Sequence, residues 1–149
     1  MRRYETIYIL RPTLSEEEIT AVIDNANTII ATDGGQVISL DQWGMKTLAY
    51  LIQKETQGYY VYCDYATSPA NVSEMERKFR IDESVMKYMT VKLEDSIDSD
   101  GIAAARGEYE AAVIAAAEAE EEASRQEAEQ AETKEAAPKK EATDKESVQ

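Results

Sequence analysis

The chain has 149 residues, 43% of them hydrophobic, and a formal net charge of −14 at pH 7. A single cysteine, Cys63, and the lack of histidine exclude an internal disulfide, a zinc site of cysteine and histidine ligands, and a serine, histidine and aspartate triad. The apolar runs are too short for a signal peptide or a membrane-spanning helix, so we expect a soluble protein of the reducing cytoplasm.

Charge and aromatic content divide the chain in two. Residues 1–96 carry a net charge of −5 and hold eight of the nine tyrosines, whereas residues 97–149 carry −9. Only the first part has enough large apolar side chains to build a core. We therefore predict a folded domain over residues 1–96 and an acidic tail, partly helical or disordered, over residues 97–149.

The first strand and helix are marked by clear signals. Residues 3–11 are rich in β-branched and aromatic side chains and end before Pro12, which predicts a strand. Ser15 and Glu18 have the spacing of a capping box, and apolar residues then recur at helical intervals, which predicts a helix over residues 16–32. Asp33, Gly34 and Gly35 supply a left-handed stop.

The remaining elements follow in order. Residues 36–53 are predicted to form a strand that Gly44 kinks or bulges, residues 54–58 a turn, and residues 59–66 a third strand. Ser68 followed by Pro69 is a helix start, and Val72, Met75 and Phe79 mark its apolar face. Residues 85–93 close as a fourth strand.

This order predicts an α+β, ferredoxin-like βαββαβ sandwich, in which a four-stranded antiparallel sheet carries two helices on one face. Beyond it, Ser99, Asp100 and Gly101 are expected to break the structure. Residues 102–135 are rich in alanine and glutamate and have high helix propensity, and residues 136–149 have the composition of a disordered end. The fold names no function by itself.

The predicted strands are apolar on both faces. Ile7 and Ile9 lie on one face of the first strand and Tyr8 and Leu10 on the other, while the third strand carries four tyrosines. Whichever face covers the helices, the other remains apolar and aromatic. Each tyrosine by itself reads as a half-buried core residue, but the row as a whole indicates a binding surface for a macromolecule.

The sequence offers no catalytic set. The acidic clusters fall at helix starts and in loops, Cys63 has no histidine to activate it, and residues 33–35 lack the lysine of a phosphate loop. We expect no enzyme activity, no cofactor and no metal. The basic residues are nevertheless grouped: strand four neighbours strand one in this topology, so Arg2, Arg3, Lys87 and Lys92 are candidates for one basic patch. Strand three matches an RNA-recognition motif only weakly, so stacking of bases on this strand stays an alternative.

Four blocks of sequence are similar to the bacterial small-subunit (30S) ribosomal protein S6 family. They are Met1 to Glu5, Gly44 to Ile52, Gln57 to Tyr60, and Phe79 to Ile81 followed by Val85 and Lys87 to Val91. The resemblance covers roughly residues 1 to 95, and the acidic tail lies outside it. Thr47 and Leu51 depart from the basic residue and the proline that the family usually has, which puts a basic contact there in doubt.

The resemblance implies a structural constituent of the small ribosomal subunit in the cytoplasm. It implies that the chain pairs with ribosomal protein S18 and, as that heterodimer, binds the central domain of 16S ribosomal RNA during subunit assembly and translation. A basic partner of this kind would supply much of the phosphate neutralisation that an acidic chain lacks. By resemblance, RNA contact is expected from Arg2, Arg3, Tyr4, Lys54, Lys87 and Lys92, and partner contact from Tyr50 and Tyr59.

Two other classes share this topology. One is a small regulatory domain that binds a metabolite between protomers, and the sequence has no glycine-rich ligand loop to favour it. The other is a ferredoxin-like enzyme such as an acylphosphatase, whose arginine-bearing phosphate loop after strand one is missing, because Arg11, Pro12 and Thr13 include no glycine. A third question concerns the tail, which we expect to be a solvated appendage or to repel RNA and suppress misbinding.

Overall fold

The structure, a computed structural model, describes residues 1–135, with side chains described as far as residue 126. It contains four strands and three α-helices: β1 (Arg2–Leu10), α1 (Glu16–Ala31), β2 (Gln36–Ile52), β3 (Glu55–Thr67), α2 (Pro69–Ile81), β4 (Val85–Glu94) and α3 (Ser99–Glu135). A short 3-10 helix, Thr32–Gly34, follows α1. The strand order is β2-β3-β1-β4, and every neighbouring pair is antiparallel. This confirms the predicted ferredoxin-like α+β architecture.

The main core lies between the sheet and the helices α1 and α2. Apolar residues at helical spacing in α1 and α2 face alternate residues of β1 and β3, because side chains of a strand point to opposite faces in turn. The buried residues of this core include Tyr8, Leu10, Ile23, Ile30, Val61, Tyr65, Met75 and Phe79.

The helix α1 begins and ends as its sequence predicts. The Ser15 hydroxyl accepts from the Glu18 amide, and the Glu18 carboxylate accepts from the Ser15 amide over 2.8 Å. A cap of this kind stabilises a helix by about 1 kcal/mol. The chain then turns away through Asp33 and Gly34, which both have positive φ.

The β2–β3 hairpin differs from the predicted turn at residues 54–58. Its turn is only two residues long, Gln53 and Lys54, and both have positive φ. Gly58 was assigned to the turn but lies inside β3, where a Cβ atom would collide with the side chain of Ile9. The glycine therefore serves close packing rather than a turn. The predicted bulge at Gly44 is confirmed by its φ of 80° and a shift in strand register.

The expected break at residues 99–101 is wrong, because these residues form the first turn of α3. The Asp98 carboxylate accepts from the Gly101 amide over 2.8 Å, which caps the helix start. Within the unit formed by residues 1–109, Ile97, Ile102 and Ala105 are buried together with Ile38 and Ala66 in a second small core. The predicted domain boundary at residue 96 stays a prediction.

The described residues 110–135 belong to a separate unit. Its helical part is dominated by alanine and glutamate, and its described side chains are exposed as far as residue 126. The predicted helix over residues 102–135 is confirmed, whereas the predicted disordered end at residues 136–149 lies outside the described residues. Within residues 1–135, no helix is long and apolar enough to cross a membrane.

Candidate RNA and partner interface

The strand register assigns each residue of the sheet to one of two faces. Tyr8 pairs with Val61 of β3 and with Tyr88 of β4, and these residues pack into the core beneath the helices. Their neighbours along each strand therefore point the other way. We call that second surface the open face; on β1, β3 and β4 it comprises Glu5, Ile7, Ile9, Tyr60, Tyr62, Asp64, Lys87, Met89 and Val91.

Tyr50 and Lys87 meet across the open face. The Lys87 ammonium donates to the Tyr50 hydroxyl over 2.7 Å and lies 5.3 Å from the centre of the Tyr50 ring. Because β2 and β4 are the two outer strands of the sheet, this contact requires the end of the hairpin to bend over the open face. Beneath it lies a groove of about 250 Å³, whose walls include Ile7, Ile9, Leu48, Tyr60 and Met89.

Two further contacts hold the hairpin turn at this end of the domain. Arg11 Nη2 donates to Gln53 Oε1 over 2.6 Å, and Gln53 Nε2 donates to the Met86 carbonyl oxygen. Gln53 precedes Lys54, and Met86 precedes Lys87. The structure therefore brings the exposed residues Lys54 and Lys87, both expected to contact RNA, to the same end of the sheet.

The other expected cations lie elsewhere. Arg3 pairs with Glu94 and Ile9 with Lys87, so about 20 Å of strand separates Arg3 from Lys87. Lys92 pairs with Tyr4, which faces the helices, whereas Lys87 is on the open face. The expectation that Arg2, Arg3, Lys87 and Lys92 form one patch is therefore wrong: β4 does neighbour β1, but the alternation of side chains separates its two lysines.

Arg3 is already engaged within the domain. Its Nε and Nη2 atoms donate to the two carboxylate oxygens of Asp64 over 3.1 and 2.8 Å, and its Nη1 atom donates to Glu94 over 2.8 Å. The hydrogen bonds to Asp64, more than those to Glu94, raise the pKa of Arg3. Lys92 is paired with Asp95, while Arg2 at the start of β1 is exposed. Direct RNA contact by Arg3 would compete with two ion pairs.

The three tyrosines named from the sequence lie in different surroundings. Tyr4 is only 7% exposed and stacks on Tyr65, with the ring centres 5.9 Å apart. Tyr59 is half-buried on the helix side, where its hydroxyl donates to Gln42 over 2.8 Å. Tyr50, in contrast, is 63% exposed on the open-face side. The contacts assigned to Tyr4 and Tyr59 stay predictions, and packing already occupies the Tyr4 ring.

Trp43 is a surface residue that the sequence reasoning missed. Its indole is 43% exposed and stacks on Tyr62 at 5.7 Å and an interplanar angle of 6°, and on Tyr60 at 6.4 Å. The bulge at Gly44 interrupts the alternation of β2 just beside Trp43, so its face could not be read from spacing. The sole tryptophan of the chain beside a bulge was the available signal.

The domain provides no chemistry of its own that resembles catalysis. Burial raises the pKa of the Cys63 thiol to about 12, so this group stays protonated and unreactive. Among residues 1–135 there is no group of three or more histidine, cysteine or acidic side chains arranged to hold a metal ion. The open face and its bordering lysines are suited to binding a macromolecule.

Comparison with known proteins identifies the family of this chain. The family model described as ribosomal protein S6 matches residues 3–92. The small ribosomal subunit protein bS6 of Desulfotalea psychrophila is 58% identical over 125 residues, which is 81% of this chain and 79% of that protein. The bS6 protein of Caldanaerobacter subterraneus subsp. tengcongensis is 41% identical over 95 residues, which is 64% of this chain and 100% of that protein.

A solved structure agrees with the sequence matches. The crystal structure of 30S ribosomal protein S6 from Thermotoga maritima matches with a TM-score of 0.58 and 26% identity, over 62% of this chain and 87% of that chain. The family match and the relatives show that the chain is a structural, non-enzymatic protein of the small ribosomal subunit. The chain belongs to the ribosomal protein S6 family.

Proposed function

We propose that this chain binds the central domain of 16S ribosomal RNA together with ribosomal protein S18, during assembly of the small subunit and in translation. The observation that carries the proposal is the contact between Lys87 and Tyr50. It joins a residue expected to bind RNA to one expected to bind the protein partner, at the mouth of an exposed apolar groove.

The charge distribution supports a shared RNA site. Lys54 and Lys87 offer two exposed cations at one end of the sheet, and Arg2 offers another at the opposite end. The remaining surface is too acidic to bind phosphates strongly by itself, since the whole chain carries −14. Each phosphate contact contributes a salt-dependent increment of affinity, so a basic partner would add what this chain lacks.

The apolar part of the open face supports a protein partner. Tyr50 is 63% and Met89 57% exposed, and both border the same groove. Exposed apolar surface of this kind normally marks an interface. Arg3 and Tyr4 also hold β1 in place, because their side chains are engaged within the domain. RNA contact by either residue stays a prediction.

The proposal is tested by measuring RNA binding of this chain, of S18 from the same organism and of their mixture. The probe is a central-domain fragment of 16S ribosomal RNA, titrated over a series of salt concentrations. Tight binding by the mixture with weak binding by this chain alone supports a partner-dependent RNA binder. If the two proteins form no complex, and neither this chain nor the mixture binds RNA, the proposal fails. A regulatory domain that binds a metabolite would then be the alternative to test.

A further inference from the structure

The end of the open face around Trp43 differs from the groove beneath Tyr50. The Trp43 indole stacks on the rings of both Tyr60 and Tyr62, which are nearly parallel to it. Trp43 nevertheless remains 43% exposed. We call Asp41, Trp43 and Tyr62 the aromatic corner.

A carboxylate lies directly beside the exposed ring. Asp41 pairs with Tyr62 across the strands, and its Oδ2 atom accepts from the indole Nε1 over 3.3 Å, which fixes the ring relative to the carboxylate. Burial raises the pKa of Tyr109, and the charge of nearby Asp41 raises it further. An acidic group is thus held between aromatic side chains.

The charge of this half of the open face is negative. Its charged side chains are Glu5, Asp41 and Asp64, with Arg3 and Glu94 beside them, and Arg106 of α3 adds a second cation that donates to the Val37 carbonyl oxygen. Arg3 bridges Asp64 and Glu94, and the Tyr62 hydroxyl donates to Glu5 over 3.1 Å. Among the side chains that the structure describes, no cation forms an ion pair with Glu5 or Asp41, so both carboxylates are available to a cationic ligand.

We propose that the aromatic corner binds an arginine side chain of a basic protein partner. The guanidinium would pack against the exposed part of the Trp43 indole and form an ion pair with Asp41, while Glu5 adds attraction from the far side of Tyr62. The inference deepens the proposed pairing with S18 and rests on it for the identity of the partner.

The chemistry of the corner selects arginine over other occupants. A planar guanidinium stacks on an indole and binds a carboxylate at the same time, whereas a lysine ammonium is a strongly hydrated point charge that does so less well. An unpaired RNA base would also stack, but its phosphates would meet Asp41 and Glu5 instead of cations. The negative surroundings therefore favour a cationic protein segment over nucleic acid.

The sole tryptophan provides a direct readout. The chain has one indole N–H, so its resonance in a ¹⁵N–¹H correlation spectrum is unambiguous and lies at the Asp41 contact. The full chain is titrated with the peptide acetyl-Gly-Arg-Gly-Arg-Gly-amide and with the same peptide carrying lysine in place of arginine. We expect saturable shifts of this resonance with the arginine peptide, and roughly threefold weaker binding of the lysine peptide.

Charge variants separate the corner from general attraction to an acidic chain. Asp41→Asn should weaken binding of the arginine peptide about fivefold or more, since it removes the ion pair and keeps the ring. Asp24→Asn is the matched control, because it removes the same charge from the exposed surface of α1 and should leave binding unchanged. Equal binding of the two peptides, or an unaltered affinity in Asp41→Asn, would overturn the proposal.

Two further experiments distinguish a protein partner from a nucleic acid. A single-stranded oligoadenylate that shifted the indole resonance at lower concentration than the arginine peptide would assign the corner to a nucleobase and overturn the proposal. Calorimetry with S18 should show weaker binding by Asp41→Asn than by Asp24→Asn. Failure of S18 to bind the unmodified chain would contradict the proposed function, while the peptide titration would still decide the arginine site.

Discussion

Arg3 and Asp64 are joined by two hydrogen bonds, from Nε and Nη2 of the guanidinium to the two oxygens of a carboxylate that is only 5% exposed. The pair links β1 to β3, because Arg3 is opposite Ala66 and Asp64 opposite Glu5 in the strand register. This bidentate geometry makes ion pairs between arginine and a carboxylate strong. It gives Arg3 a structural contact, while its expected contact with RNA stays a prediction.

Replacing Arg3 should therefore reduce stability more than RNA affinity. Arg3→Ala leaves the Asp64 carboxylate buried without its cation, and we expect the free energy of unfolding to fall by about 2 kcal/mol, less than for a fully buried pair because Arg3 is partly exposed. Arg2→Ala is the matched control, since Arg2 is exposed, and its stability should stay within about 0.5 kcal/mol of the unmodified chain. Urea denaturation measures both, and an Arg3→Ala variant as stable as Arg2→Ala would refute the structural role.

Removing the hydroxyl of Tyr8 and removing that of Tyr65 should have different effects on stability. Tyr8 Oη is buried with no hydrogen-bond partner among the described residues, whereas Tyr65 Oη shares a 2.8 Å hydrogen bond with Thr6. Tyr8→Phe should leave stability unchanged or raise it by up to about 1 kcal/mol, and Tyr65→Phe should lower it by about 1 kcal/mol. Thermal or urea unfolding of the two variants decides the matter, and a larger loss in Tyr8→Phe than in Tyr65→Phe would contradict the described packing.

Alkaline pH should destabilise the domain. Burial raises the pKa of Tyr62 and of Cys63 to about 12 each, and it raises the pKa of Tyr8 and Tyr65 as well. In the unfolded chain a cysteine ionises near pH 8.5 and a tyrosine near pH 10, at about their ordinary values. The folded protein keeps these protons to higher pH, so the stability they contribute is complete below about pH 8.5 and is lost as the pH rises toward 12.

Urea denaturation at a series of pH values from 7 to 11.5 measures this loss. The first part of the decline should come from Cys63, because a thiol ionises first in the unfolded chain. Cys63→Ala should therefore show a flatter profile between about pH 8.5 and pH 10 than the unmodified chain. A stability that stayed constant to pH 11 would show that these groups ionise alike in the folded and unfolded states.

The first turns of α3 should contribute to the stability of the domain. Ile102 is only 4% exposed and packs with Ile38 and Ala66 of the sheet, and nearby Arg106 donates to the Val37 carbonyl over 2.7 Å. Ile102→Ala should lower the free energy of unfolding by about 3 kcal/mol, as for other buried isoleucines. In Val113→Ala, a control on the exposed surface of the same helix, the change should be within about 0.5 kcal/mol. If Ile102→Ala changed the free energy of unfolding as little as Val113→Ala does, the domain boundary would lie at residue 96, as the composition predicts.

The sequence predicted the backbone conformation correctly where only a few residue types can adopt it. The capping box at Ser15 and the left-handed stop at Asp33 and Gly34 were predicted because few residues satisfy those conformations. The hairpin turn was predicted at the wrong residues, because Gln53 and Lys54 adopt positive φ although neither is a glycine, the residue type that usually indicates this conformation. Gly58 looked like the turn residue, but what requires it is the Ile9 side chain of another strand.

The interface was predicted less well than the fold. Apolar residues on both faces of β1 and β3 indicated a binding surface but left open which face it occupies, and packing against α1 and α2 decides that. The pairing of Arg3 with Asp64 and the separation of Lys87 from Lys92 depend on strand register, which local sequence does not specify. Trp43 was overlooked because a bulge interrupts the alternation beside it.

The salt dependence of RNA binding by the pair with S18 tests the central claim most directly. Lys54→Ala and Lys87→Ala should each weaken binding to the central-domain RNA fragment and reduce the slope of log K against log salt by about 1, since each would remove one phosphate contact. Lys78→Ala, a control on the exposed surface of α2, should change neither. Equal slopes for all three variants and the unmodified chain would contradict an RNA site at the hairpin end of the sheet.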